Sequence, residues 1–137
     1  MSSYKVPISA KGIVFDDGKV WLRKNERNEW ELSGGKVDEG EQPSETVVRE
    51  LQEELGFAVE VKTIIQAWMY TIKVSEDESR GVLVVSYLCN IFGKTGEFEL
   101  EGEAGEARFE RFTLEEIEAL PMPDFYKEAI QLAAEQL

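Results

Sequence analysis

Glu50, Glu53 and Glu54 sit in a stretch whose apolar residues Val47, Val48, Leu51 and Leu55 recur with helical spacing. At about 100° per residue the three glutamates fall within one arc of roughly 100°, and the apolar set fills the adjacent arc. One face of this helix should pack, and its neighbour should present three carboxylates. Like charges at i, i+3 and i+4 repel unless a cation neutralises them. Oxygen ligands of this kind suit a hard divalent ion such as Mg²⁺ or Mn²⁺, which shares its shell with substrate phosphates and water. The alternative is a solvated acidic face, which an acidic chain produces often.

The chain that must position them has 137 residues, 42% hydrophobic and 31% charged, enough for one domain with a real core. Its 15 basic and 28 acidic residues give a net charge of −13, which repels nucleic-acid phosphates. A non-specific nucleic-acid binder is disfavoured. There is no histidine, so a Ser-His-Asp triad and a His-based zinc site are excluded, and proton or metal chemistry falls to Asp, Glu, Lys, Tyr or Cys89. Cys89 lies in the apolar run Val82 to Phe92 and reads as a buried small hydrophobe in a reducing compartment. That run is too short to span a bilayer, and the residues from Met1 to Pro7 lack the apolar stretch of a secretory signal. The expectation is a soluble cytoplasmic protein with no membrane partner.

Apolar pieces at Lys11 to Phe15 and Val20 to Leu22 flank Asp16-Asp17-Gly18-Lys19, which predicts a hairpin. Trp30-Glu31-Leu32 reads as a short third strand running into a turn at Ser33-Gly34-Gly35 and a loop continuing to Glu41. Pro43 suits the first residue of a helix and Gly56 its terminator. Val59 to Val74 alternates with Trp68, Tyr70, Ile72 and Val74 on one face, then a polar loop around Ser75 to Ser79 leads to Val82 to Phe92, apolar like a central strand. Gly93 to Gly105 reads as loop and Arg108 to Phe112 as a returning strand. Thr113-Leu114-Glu115-Glu116 has the capping-box pattern of a short helix that stops at Pro121. A last helix from Asp124 carries Phe125, Ala129, Leu132 and Ala133 on one stripe. The expectation is one α/β domain without linkers or repeats.

From Gly35 through Glu41, Arg49, Glu50, Leu51, Glu53, Glu54 and Gly56 to Phe57, the segment matches at every fixed position the pattern Gly-x5-Glu-x7-Arg-Glu-U-x-Glu-Glu-x-Gly-U, with U apolar. That pattern is the Nudix box. With the leading hairpin, the Trp30-Glu31-Leu32 lead-in, the buried sheet and the final helix, most of the chain resembles the Nudix hydrolase family. The resemblance implies an α/β/α sandwich with a mixed β-sheet, residues 1–137 forming a single Nudix hydrolase domain. It implies hydrolysis of nucleoside diphosphates linked to another moiety, with Mg²⁺ or Mn²⁺ and a water attacking phosphorus. By position, Glu50, Glu53 and Glu54 resemble the metal ligands, with the Gly34 carbonyl as a further ligand. Arg49 and Glu41 resemble the pair that braces loop against helix.

The base that deprotonates the water is either a box glutamate, Glu53 or Glu54, or one from a distant loop. Taking Phe112 as the aromatic position that follows that loop residue in the family points to Glu106, with Glu103 second. Arg23 and Lys24, and Lys36 beside the box, are the candidate substrate-binding cations; exposed surface charge is the alternative. Trp68 and Tyr70 read as core, with stacking on a base as the alternative. Ser33 departs from the family, in which many members have Pro before the Gly-Gly pair, and should loosen that turn. The partner implied is a small nucleotide-type molecule, with a homodimer compatible with the resemblance. Two other readings remain open: a non-catalytic Nudix-fold module that binds a nucleotide or metabolite, and an isomerase of a prenyl diphosphate. The second is disfavoured because its chemistry uses a cysteine, and Cys89 is expected to be buried.

Overall fold

Thirteen residues from Pro43 to Leu55 form α1, closed at its C-terminus by Gly56 in the left-handed conformation with φ 70°. At the other end the Gln42 side chain accepts from the N3 backbone while Glu45 reaches back to the Gln42 amide, the reciprocal arrangement that satisfies two orphan donors. These features belong to a computed structural model that describes residues 6–95 and 108–137.

Six strands among the described residues make the mixed sheet against which α1 packs: β1 (Ile8–Asp16), β2 (Lys19–Lys24), β3 (Trp30–Lys36), β4 (Phe57–Lys73), β5 (Ser79–Lys94) and β6 (Arg108–Phe112). Their order is β4-β5-β1-β3-β2-β6, with β1 and β5 parallel and the other neighbours antiparallel. Asp17 and Gly18, at φ 56° and 77°, form the tight β1–β2 turn that the Asp-Gly pair predicts.

Two helices complete the other layer, α2 (Leu114–Glu118), with Thr113 as its capping residue, and α3 (Asp124–Ala134). Val47, Leu51 and Leu55 of α1 bury themselves on Ala10, Val14, Phe57, Val59 and Cys89, whereas Val48, expected with them, turns to the edge of that face and is 39% exposed. On the opposite side, Phe125, Tyr126, Ala129, Ile130 and Ala133 of α3 close over Ile13, Leu22, Leu32 and Leu88. The expected α/β/α sandwich is therefore what forms.

Several local expectations are corrected. Ser33-Gly34-Gly35 is not a turn but the continuation of β3, because Ser33, Gly34, Gly35 and Lys36 pair with Gly12, Lys11, Ala10 and Ser9 of β1. The serine therefore loosens no turn; it lies fully buried in a strand, and its Oγ has no hydrogen-bond partner. The stripe of α3 includes Tyr126 and Ile130 rather than Leu132, which is exposed. Positions 125, 126, 129, 130 and 133 keep one face of a 3.6-residue helix, whereas 132 turns away from it. Val74 lies beyond β4, where its amide donates to the Glu78 carbonyl in the connecting loop, and its side chain is exposed. Within β5, Asn90 and Phe92 face solvent, so only the middle of that strand is covered on both sides. No helix among the described residues is long and apolar enough to cross a membrane.

Candidate active site

Arg49, in the second turn of α1, organises the acidic face. Its Nε donates to Glu41 Oε2 at 2.8 Å and its Nη2 to Glu41 Oε1 at 3.0 Å, a two-pronged grip on the loop before the helix. Its Nη1 donates to Glu50 Oε1 at 2.9 Å and, more weakly, to Glu53 Oε2 at 3.4 Å. Asp38 adds an ion pair at 3.2 Å. Surrounded by carboxylates, the guanidinium has its pKa raised, first by the hydrogen bonds to Glu41. Glu41 is held correspondingly low, at about 2, by the Arg49 hydrogen bonds first and then by Thr46, whose hydroxyl donates to Glu41 Oε1 at 2.6 Å. The bracing role expected of this pair is visible in its geometry.

The three box glutamates have different surroundings. Glu50 lies against the backbone of β3: a Cβ placed on Gly35 would stand 2.6 Å from its carboxyl carbon. Only glycine lets the carboxylate approach the strand so closely. Gly34 is equally constrained, with φ 146° and a space for Cβ that runs into the Ala10 carbonyl. Glu53 points outward, its side chain 59% exposed. Glu54 is buried, only 3% exposed, on the same helix. Among the described residues no three acidic side chains converge into a ready metal-binding group. Arg49 pairs with both Glu50 and Glu53, at 2.9 and 3.4 Å. The donors are nonetheless of the hard carboxylate type, and the cradle at Gly35 keeps one of them beside the strand that carries Gly34.

The candidate cations are divided. Arg23 Nη1 donates to Glu31 Oε1 at 2.9 Å, so this guanidinium is braced by a neighbouring strand. Lys24 lies over the Trp30 ring, 5.7 Å from its centroid, and Lys36 is exposed at the end of β3. Trp68 stacks on Phe125, with centroids 5.9 Å apart, and Tyr70 tilts against the same ring at 5.1 Å. Tyr70 packs against the core as expected, whereas Trp68, expected in the core, is 44% exposed, because its ring covers the outer side of Phe125. Cys89 is buried and its thiol is pushed up to about 12 by desolvation, which leaves no thiolate near neutral pH. Glu106 and Glu103 lie outside the described residues.

Sequence reasoning missed Lys11, Asn25 and Glu31, which meet behind Arg23. The available signal was a lysine inside the otherwise apolar run from Ile8 to Phe15. Thr46 was also missed; nothing in its position on an amphipathic helix marks it as a partner of Glu41.

The model of the NUDIX domain matches residues 6–133. An ADP-ribose pyrophosphatase of Methanocaldococcus jannaschii is 30% identical over 106 residues, covering 74% of this chain and 60% of that protein. An RNA pyrophosphohydrolase of Shewanella sediminis is 38% identical over 53 residues, 36% of this chain and 31% of that protein. The chain thus spans about 60% or less of the length of these curated relatives. Among solved structures, a NUDIX hydrolase from Nitrosomonas europaea superposes with a TM-score of 0.78 at 15% identity, over 96% of this chain and 90% of that one.

Proposed function

This chain belongs to the Nudix family, and we propose that it hydrolyses the pyrophosphate linkage of a nucleoside diphosphate joined to another moiety, using Mg²⁺ or Mn²⁺. Glu50, Glu53, Glu54 and the Gly34 carbonyl would hold the cation. The observation that carries the proposal is the Glu50 carboxylate, seated where a Gly35 side chain would be, on a helix whose next turn supplies Glu53 and Glu54. When bound, the cation neutralises diphosphate charge and lowers the pKa of the attacking water.

The chain's own residues supply the rest. Arg49 and Glu41 tie the loop to α1, so that the carboxylates share a fixed frame. Arg23 would meet a substrate phosphate, with Lys24 and Lys36, on β2 and β3, as further cations. Proton removal from the water is assigned to Glu53, Glu54 or Glu106. The similarity to an ADP-ribose pyrophosphatase makes ADP-ribose the first substrate to assay. We assign the protein small nucleotide-type substrates in the cytoplasm; its net charge of −13 disfavours long nucleic acids.

The test is a panel of nucleoside diphosphate derivatives incubated with Mg²⁺ or Mn²⁺, with every product identified. Turnover of at least one compound, abolished by chelation, is the expected result. Tight binding of one compound with no turnover of any would instead establish the non-catalytic binding module.

A further inference from the structure

β4 lies at one end of the sheet and, among the described residues, pairs on one side only, with β5. Its outer edge therefore offers backbone amides and carbonyls without strand partners, a template for pairing with another chain. Proteins blunt such edges with bulges and charges. Here both devices stop short. The three register shifts lie between Ala58 and Gln66, and from Gln66 to Lys73 the strand pairs regularly with Ser86 to Ser79. Residues 63–72 carry no charged side chain, in a chain that is 31% charged with a net charge of −13. Two copies of so acidic a chain repel over most of their surface, and an exposed edge without charge is where they can meet.

Three side chains of this strand are large, apolar and exposed: Ile64 at 55%, Trp68 at 44% and Met69 at 50%. They divide between the two faces of the sheet. Ile64 stands opposite Tyr87, which packs on the α1 core, whereas Trp68 stands opposite Val84 of the α3 core and stacks on Phe125. Alternation puts Met69 on the α1 face with Ile64, and Gln66 on the α3 face with Trp68. A helix laid on either face would cover one set only, whereas a strand added to the edge reaches both. Gln66 and Trp68 also carry unmatched polar groups. Gln66 lines a cavity of about 490 Å³ with Lys127 and Leu132, and its Oε1 is buried with no hydrogen-bond partner. The Trp68 ring contacts Phe125, and its indole N–H donates no hydrogen bond among the described residues.

We infer that β4 is the contact strand of a homodimer, in which two copies join edge to edge and antiparallel about a two-fold axis at Ala67. A two-fold contact pairs residue i with j and j with i. With the axis at Ala67, and with Ile65 and Lys62 skipped as they are against β5, Gln66 stands opposite the partner's Trp68 and Ile64 opposite the partner's Met69. Symmetry repeats both pairs, so all three exposed apolar side chains are covered at once. On the α3 face, rotation of the Gln66 side chain brings its unmatched oxygen to the partner's indole N–H, and on the α1 face Ile64 packs on the partner's Met69. Ala67, small and exposed, faces its own copy at the axis. Farther out, Glu60 falls within one residue of the partner's Lys73, opposite in sign. The inference is independent of the diphosphatase reading, because it concerns the far edge of the sheet and is read as mass.

The test is analytical ultracentrifugation of the full chain from about 1 to about 100 μM, with circular dichroism as the check on folding. Wild type should sediment with twice the mass of one chain at the upper concentrations. Met69→Lys sets an ammonium against the partner's Ile64 twice per dimer and should weaken association about tenfold or more, with the fold unchanged. Ala67→Cys tests the register. Side chains facing each other across the axis have Cβ atoms about 4.5–5.5 Å apart, within reach of a disulfide after a small shift, and the native Cys89 is buried. Under mild oxidation Ala67→Cys should give a covalent dimer about tenfold or more faster than Thr71→Cys, an exposed position far from its own copy in this register. Should Met69→Lys not fold, the two cysteine variants carry the test. A chain that stays monomeric throughout and cross-links equally from both positions overturns the inference. So does a dimer that a folded Met69→Lys leaves intact, because another surface then holds it.

Discussion

Arg49 grips Glu41 through two hydrogen bonds, Nε to Oε2 at 2.8 Å and Nη2 to Oε1 at 3.0 Å, across eight residues of sequence. The loop before α1 is thereby tied to the helix that carries the glutamates. Because the Glu41 carboxyl is lowered from 4.5 to about 2, its stabilising contribution is present above 4.5 and is lost as pH falls through about 2. Wild type should melt above Glu41→Gln at neutral pH, and the gap should close as the pH is taken from 4.5 to about 2. A gap independent of pH over that interval would show that the charge of Glu41 contributes nothing.

Glu53→Gln and Glu54→Gln each replace a carboxylate by an amide of the same shape. Turnover should fall by about a hundredfold or more while far-ultraviolet circular dichroism stays unchanged. Titration with Mn²⁺, followed by the paramagnetic signal of the free ion, should show weaker binding in both variants. Wild-type rates in either variant would remove that residue from the site.

Gly35→Ala tests the cradle. An added methyl would meet the Glu50 carboxyl carbon at 2.6 Å, so the carboxylate must move while the strand itself tolerates the residue. Activity should drop by about tenfold or more, as when the supports of a metal ligand are altered, with only a small change in melting temperature. Full activity would mean that Glu50 does not act from this position.

Ser33 is fully buried with an unpaired hydroxyl, a desolvation cost with no return. Ser33→Ala removes it and should raise stability by about 1 kcal/mol, seen as a higher urea midpoint with an unchanged slope. A lower midpoint would indicate that the hydroxyl has a partner after all.

What the order of residues determined is mostly local. The apolar spacing of Val47, Leu51 and Leu55, with Pro43 before and Gly56 after, is enough to specify α1 and its acidic flank. The Asp17-Gly18 turn and the Thr113 cap follow the same logic, since each depends on backbone conformations a few residues long. The hydrolase-type box is likewise a matter of spacing along one chain segment.

The tertiary structure decided whatever depends on contacts between distant segments. Ser33-Gly34-Gly35 reads as a turn until β1 offers its backbone as a pairing partner, and then the same residues extend β3. The meeting of Lys11, Arg23, Asn25 and Glu31 joins three strands and the loop after β2, so no periodicity in any one of them announces it. Nor does composition tell which carboxylate is buried: Glu53 and Glu54 are adjacent and identical in type, yet one faces solvent and the other the protein. A helix rotates each successive side chain by about 100°, and only the docking of α1 on the sheet sets which of those directions meets protein and which meets water.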